Sequence, residues 1–318
     1  MPKANLSKNQ KQRTTTMGAL HSLHEIRPFV STGRSPGVRG DRKIIVLTDL
    51  DGTLLDTGTY SWHRAEDALK ALRKRGASVV LVSSKTLGEM ELLHRELGLF
   101  DPFIVENGGG IVCPADSSVT RVLFAAHSVH PPTKRGGFVL YSLGRPYGEL
   151  AGLVQEIAAE IGTPMRGFAS MPTEEVAALS GLDIDSAALA KKREFDEPFI
   201  VDPNAGNADS ALERSASRRG LRIVKGDRFL HLIGHGGKGI AVAVVLNAFR
   251  QLYARILSIG LGNSRNDFDL LERVDIPVLL GFSPGQQDVP DSLAHAKRVA
   301  TLGSRGWNQA VLDLLGRA

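Results

Sequence analysis

Two carboxylates stand two residues apart in the run Asp49-Leu50-Asp51-Gly52-Thr53. A carboxylate can attack phosphorus and carry the phosphoryl group as a covalent intermediate. Its neighbour can hand a proton to a leaving oxygen and then take one from water. Two acids so close can be driven to different pKa values by their surroundings, as those roles require. Asp-x-Asp alone is a common pattern, and a solvated acidic turn is the competing reading. The context argues for chemistry, because the pair directly follows Lys43-Ile44-Ile45-Val46-Leu47-Thr48, an apolar run that reads as a buried parallel strand. Ligands of open α/β sheets bind at the carboxyl edge of such strands.

The elements around the pair must build that edge. The spacing predicts a strand over 43–48 and a helix over about 63–75, with Ala65, Ala68, Leu69 and Leu72 on one face and Gly76 after it. A strand over 78–82, a helix over 86–97 and a strand over 103–105 follow. This βαβαβ order calls for a parallel sheet, and it places the hydroxyl of Ser83 beside Asp49. The pattern resumes with a strand over 228–233, a helix over 237–252, a strand over 255–260, a helix over 264–273, a strand over 276–280 and a last helix near 306–316. Gly236-Gly237-Lys238-Gly239 opens the helix at 237, offering a point charge and free backbone N–H groups to an anion. Gly260-Leu261-Gly262-Asn263-Ser264-Arg265-Asn266-Asp267 follows the strand at 255. The stretch 111–226 mixes strands, such as 137–143, with helices, such as 150–161. The expected fold class is α/β, a Rossmann-like parallel-sheet core (41–110 and 227–318) with an inserted α+β cap (111–226) lying over the sheet edge like a lid.

The four segments together resemble the motifs of the haloacid dehalogenase superfamily, in order, over residues 43–318. Asp49 to Thr53 is similar to its first motif, Ser83-Ser84-Lys85-Thr86 to its second, Gly236 to Gly239 to its third and Gly260 to Asp267 to its fourth. The resemblance implies that Asp49 is the nucleophile, Asp51 the general acid and base, and that Ser83 and Lys238 hold the phosphate. It also implies Mg²⁺, a cation suited to oxygen ligands, held by Asp49, the backbone carbonyl of Asp51, and Asn263 and Asp267 of the fourth motif. The first position of that loop, usually Asp in the wider family, is Asn263 here. An amide oxygen can still ligate, but the site loses one negative charge, and Asp267 could compensate as a ligand or as the partner of one.

A narrower likeness rests on Glu106-Asn107-Gly108-Gly109-Gly110, Arg193-Glu194-Phe195-Asp196-Glu197-Pro198-Phe199, Gly226-Asp227-Arg228-Phe229-Leu230-His231-Leu232 and Gly306-Trp307-Asn308. Together they resemble the mannosyl-3-phosphoglycerate phosphatase family, which implies hydrolysis of that sugar phosphate to mannosylglycerate, a compatible solute, and phosphate. On that substrate Arg193 and Arg228 would hold the carboxylate, and Glu197 and Asn107, with Gly108 beside it, would meet sugar hydroxyls. Other readings stay open: another sugar phosphate such as the glucosyl analogue or sucrose phosphate, a phosphomutase, or a non-catalytic sugar-phosphate binding module.

Composition narrows the partners. The 318-residue chain carries a net charge of +5, with 23% charged and 42% hydrophobic residues. Residues 1–40 hold seven basic side chains against one acid, Glu25. That surplus exceeds the whole-chain charge, so the remainder is close to neutral and carries no bulk signal for nucleic acid. The first 40 residues read as a disordered basic tail without a secretory h-region, and Met17 is a candidate alternative start. A single cysteine, Cys113, excludes an intrachain disulfide and suits a reducing cytoplasm. No apolar run reaches membrane-spanning length. His231 and His235 have a spacing that zinc sites use, but no cysteine or third histidine lies nearby. Oligomeric state leaves no signature in this sequence.

Overall fold

The computed structural model describes residues 42–126, 131–203, 205, 209–234, 236–282 and 289–316. The expected basic tail and His235 lie outside these residues. Thirteen strands are present among them: β1 (Lys43–Thr48), β2 (Ser78–Val82), β3 (Phe103–Val105), β4 (Gly110–Pro114), β5 (Thr133–Arg135), β6 (Phe138–Ser142), β7 (Met165–Gly167), β8 (Asp196–Val201), β9 (Arg222–Lys225), β10 (Leu230–Ile233), β11 (Ile256–Gly262), β12 (Ile276–Leu280) and β13 (Lys297–Val299).

Nine strands form one sheet in the order β13-β12-β11-β1-β2-β3-β4-β6-β5. The six from β13 to β3 run parallel, as the alternating strand–helix pattern requires. β1 lies inside this sheet between β11 and β2. Its side chains go to both faces, so its sequence reads as a continuous apolar run. Val46 packs with Leu72, Met90, Trp307 and Val311 of the helices Glu66–Lys74, Leu87–Glu96 and Gly303–Leu315. Ile45 and Leu47 pack with Val119, Leu123, Ala241 and Val245 of the helices Ser118–Ala126 and Lys238–Leu252. The helix at 87 starts on a reciprocal cap. The Thr86 hydroxyl accepts the Glu89 N–H, and the Glu89 carboxylate accepts the Thr86 N–H.

The second sheet has four antiparallel strands, β7-β8-β10-β9. Two sequence expectations change here. The strand near 228–233 does not rejoin the parallel sheet: β10 hydrogen-bonds to β8 and β9, and its Leu232 is buried with Phe199, Leu150 and Ile157. Part of the stretch 111–226 also joins the large sheet, because β4, β6 and β5 extend it antiparallel beyond β3. Their side chains alternate between the two buried faces, with Ile111, Cys113, Val139 and Tyr141 on one and Val112, Phe138 and Leu140 on the other.

Two helices also differ from their expected spans. The segment expected at 264–273 is a short 3₁₀ turn, Arg265–Asp267, followed by one helical turn, Phe268–Leu271. The Asp267 carboxylate accepts the Asn263 and Ser264 N–H groups and so winds the loop tightly. The last helix starts at Gly303 rather than near 306, since the Asp56 carboxylate accepts from the Ser304 N–H and hydroxyl and supplies its N-terminal anion.

The last helix also reaches the centre of the sheet. Fully buried Trp307 donates from Nε1 to the Thr48 hydroxyl at 3.0 Å, and that hydroxyl donates to the Asp49 carbonyl at 2.7 Å. A Trp307→Phe variant is expected to lose about 1–3 kcal/mol through loss of the indole donor to the buried Thr48 hydroxyl and the smaller ring, measured by urea unfolding against wild type.

Candidate active site

Asp49 follows the last residue of β1, and its N–H donates to the Leu261 carbonyl of β11 at 2.9 Å. The nucleophile candidate therefore emerges beside the end of β11, where the Gly262–Asp267 loop begins. The helix Lys238–Leu252 brings the third component. Gly239 lets its first turn approach the Phe268–Leu271 segment, since a Cβ there would stand 2.4 Å from the Asp269 carbonyl oxygen. The Lys238 ammonium donates to Asp49 Oδ1 and to Asp267 Oδ1, each at 2.7 Å. All three side chains are almost wholly removed from solvent. Burial, and then the neighbouring Asp267 charge, push the Asp49 carboxyl up to about 7, with Lys238 opposing. Burial works against the Lys238 ammonium, but the two carboxylates outweigh it and hold its pKa above the ordinary lysine value.

Asp267 sits in this site as an organiser. Oδ1 takes the Lys238 ammonium, and Oδ2 accepts from the Asn263 N–H, the Ser264 N–H and the Ser264 hydroxyl, each at 3.0 Å. Both oxygens are thus engaged within the protein. The Asn263 side-chain oxygen accepts from the Thr53 hydroxyl at 3.0 Å, tying the fourth segment to the first. Asp51 lies on the other side of the turn. Its Oδ2 meets the Lys85 ammonium at 3.0 Å, whereas Oδ1 is buried without a hydrogen-bond partner. These groups suit a hard divalent cation: the donors are all oxygens, one Asp51 oxygen is orphaned, and Asn263 Oδ1 keeps a second lone pair. Buried Ser83 completes the edge. Its N–H donates to the Ile104 carbonyl, and its Oγ accepts the Lys85 N–H at 3.2 Å.

A second cluster joins the two sheets. Glu106, Asn107 and Gly108 all have left-handed φ values, 48°, 54° and 91°. Gly108 is required by space as well, because a Cβ there would stand 2.3 Å from the Gly237 carbonyl oxygen. The turn therefore lies directly against the start of the Lys238 helix. Asn107 Nδ2 donates to Asp196 Oδ2 at 2.7 Å, and Asn107 Oδ1 accepts from Asn266 Nδ2 at 3.1 Å. Asp196 also meets His231 Nδ1 at 3.0 Å and Arg193 at 3.3 Å. Burial opposes its charge, but His231 and Arg193 prevail and hold its carboxyl below the usual aspartate value. The Glu106 carboxylate accepts the N–H groups of Glu194, Phe195 and Asp196 at 2.8–3.1 Å; burial nevertheless pushes it up to about 7, with Arg193 opposing.

The residues expected to meet substrate thus divide. Asn107 and Gly108 lie at the junction next to Asn266 and Gly237. Arg193 is buried and spent on structure: it donates to the Ala190 carbonyl at 2.8 Å and the Ser84 carbonyl at 2.7 Å, and it pairs with Asp196. Arg228 is exposed and donates to the Ser180 carbonyl at a helix end, away from both clusters. Glu197 is turned to the opposite face of its sheet from Asp196, where Oε1 accepts the Ala169 N–H at 2.9 Å. His231 pairs with Asp196, and the described residues contain no group of three or more histidine, cysteine, aspartate or glutamate side chains placed to hold a metal. Lys85, Glu106 and Asp196 stand out in the sequence only as members of the motif segments. Their one signal in the sequence was a charge next to a strand end.

Known proteins match this arrangement. A family model described as haloacid dehalogenase-like hydrolase matches residues 46–128. A glucosyl-3-phosphoglycerate/mannosyl-3-phosphoglycerate phosphatase of Methanococcoides burtonii is 36% identical over 275 residues, 86% of this chain and 98% of that protein. A mannosyl-3-phosphoglycerate phosphatase of Pyrococcus furiosus is 30% identical over 237 residues, 74% of this chain and 90% of that protein. The chain belongs to the haloacid dehalogenase superfamily. It is a phosphoric monoester hydrolase of that superfamily. Solved structures agree on the fold: a phosphatase of Bacteroides thetaiotaomicron (TM-score 0.56, 19% identity, 91% of this chain and 100% of that one) and a Thermoplasma acidophilum protein (TM-score 0.58, 17% identity, 87% and 100%).

The Asp196 cluster gives this phosphatase an acid-labile seam. A carboxyl held below its ordinary value of 3.8 contributes stability in full above that pH, and loses it as the pH falls through the depressed folded value. Asp196→Asn is expected to cost about 3–5 kcal/mol at neutral pH by leaving Arg193 and His231 without their buried partner. The difference from wild type should shrink as the pH is lowered below about 4, followed by denaturant unfolding across pH.

Proposed function

We propose that this phosphatase hydrolyses glycosyl-3-phosphoglycerates, with mannosyl-3-phosphoglycerate as its substrate, through an aspartyl-phosphate on Asp49. The observation that carries the reading is the buried bridge of Lys238 between Asp49 and Asp267 at the end of β1, in a chain that matches phosphatases of these esters along 74–86% of its length. Asp49 attacks phosphorus, and the bond from phosphorus to the C3 oxygen of glycerate breaks. Asp51 gives its proton to that oxygen, releasing glycosylglycerate. Water then attacks the phosphoryl group on Asp49 while Asp51 takes the water's proton, which frees phosphate and restores the carboxylate. Lys238 and the Ser83 hydroxyl neutralise and orient the phosphoryl oxygens. Mg²⁺, bound through Asp49, the Asp51 carbonyl and Asn263, would supply further neutralisation of phosphoryl charge. Asp267 supports this site by fixing Lys238 and the loop.

The four-stranded sheet with its helices acts as the cap in this reading, and the Glu106–Gly108 turn of the large sheet is where it meets the catalytic edge. Since phosphoryl machinery is generic, the cap and the leaving-group side of the site choose the ester. The enzyme works in the cytoplasm, where phosphorylated sugar acids are made.

Asp49→Asn is expected to abolish phosphate release from mannosyl- and glucosyl-3-phosphoglycerate while circular dichroism stays that of wild type. Release by the folded variant at wild-type rate would refute the nucleophile. A wild-type preference for sucrose phosphate over both phosphoglycerates would refute the substrate class. Asn263→Asp is expected to lower the Mg²⁺ concentration giving half-maximal activity by about 3- to 10-fold, through an added charge beside the cation. An unchanged titration curve would remove Asn263 from the metal's ligands.

A further inference from the structure

We infer that Lys85 recognises the carboxylate of the leaving glycerate and so sets the specificity of the site for phosphoglycerate esters. The inference rests on the glycosyl-3-phosphoglycerate reading and names the residue that would select that substrate class. Hydrolysis places Asp51 within hydrogen-bond reach of the glycerate C3 oxygen. The carboxylate of the same glycerate is joined to that oxygen through only two carbons, so covalent geometry keeps it within about 3–5 Å. A second anion must then sit next to Asp51, and it needs a cation there.

Lys85 stands at that place. Its ammonium is 3.0 Å from Asp51 Oδ2, and its side chain is 16% exposed, open enough to be reached by a ligand. The Tyr60 ring lies 5.0 Å from the ammonium, a cation–π contact that steadies the charge without neutralising it. Tyr60 holds that position with a φ of 52°, a left-handed conformation that is costly for a bulky residue. The Lys85 backbone is fixed at both ends, its N–H on Ser83 Oγ and its carbonyl on the Glu106 N–H. The other basic groups considered for the carboxylate are committed elsewhere: Arg193 to the Ser84 and Ala190 carbonyls and Asp196, Arg228 to the Ser180 carbonyl, and Lys238 to Asp49 and Asp267. When substrate enters, the Lys85 ammonium exchanges its bond to Asp51 for one to the glycerate carboxylate.

The test compares two matched esters, mannosyl-3-phosphoglycerate and the same compound with its carboxylate reduced to a primary alcohol. For Lys85→Met, kcat/KM on the phosphoglycerate is expected to fall about 10- to 100-fold further than on the alcohol, the range for a hydrogen bond between charged groups. The extra loss should appear chiefly in KM, and Lys85→Arg should recover part of the discrimination. Lys85→Gln, which keeps a polar chain of similar length, serves as the second neutral variant if the Met protein does not fold. Equal losses on both esters would overturn the inference, assigning Lys85 to the orientation of Asp51 and leaving the phosphoglycerate reading intact. A wild-type enzyme that releases phosphate from p-nitrophenyl phosphate but from neither glycosyl-3-phosphoglycerate would overturn both.

Discussion

A single ammonium group holds the catalytic edge together. Lys238 reaches Asp49 at the end of β1 and Asp267 beyond the end of β11, and almost nothing of the three side chains is exposed. Burying one cation between two anions leaves an excess negative charge in a poorly solvated place. Such an arrangement is a weak source of stability, because desolvation offsets most of the attraction. Its value is positional. The start of the Lys238–Leu252 helix, the end of β1 and the Gly262–Asp267 loop are far apart in sequence, and the bridge fixes them within 2.7 Å contacts.

The second buried network makes the four-stranded sheet part of the same electrostatic unit. Asn266, next to Asp267, donates to Asn107, and Asn107 donates to Asp196, which His231 and Arg193 also contact. Arg193 in turn grips the Ser84 carbonyl, one residue beyond the Ser83 hydroxyl. Glu106 fastens the other side by accepting three successive N–H groups from residues 194–196. Polar networks of this kind fix geometry strongly when every member is satisfied. The junction thus combines directional bonds with the apolar seating of Phe195 against Val105, Val112 and Leu140, and its parts come from both sheets.

Much of this was legible in the chain. The parallel strands announced themselves as apolar runs, and the first, second, third and fourth motifs fell at strand ends and at a helix start, where side chains have little freedom. The boundaries of the insertion were harder to see. β4, β5 and β6 pair with their neighbours by long-range hydrogen bonds, and nothing in Gly110–Pro114 says which sheet will accept it. Arg193 shows the same limit at the level of one residue. Its sequence context suggested a fork for a substrate carboxylate, yet only the fold reveals the Ser84 and Ala190 carbonyls that occupy it. Lys85 is the converse: the sequence carries it only as a member of the Ser83–Thr86 segment, and the turn after β1 brings Asp51 to it.

The Trp307–Thr48 hydrogen bond spans 259 positions, which gives it a meaning in time as well as in space. A ribosome delivers β1 and Asp49 well before the helix Gly303–Leu315. The strand that carries Asp49 therefore receives a buried partner from chain made much later. Until that piece docks, Thr48 has no indole to satisfy it and one face of the sheet has lost the helix that covers Val46. A product truncated before Gly303 would carry all four motif segments yet lack the packing that holds the end of β1.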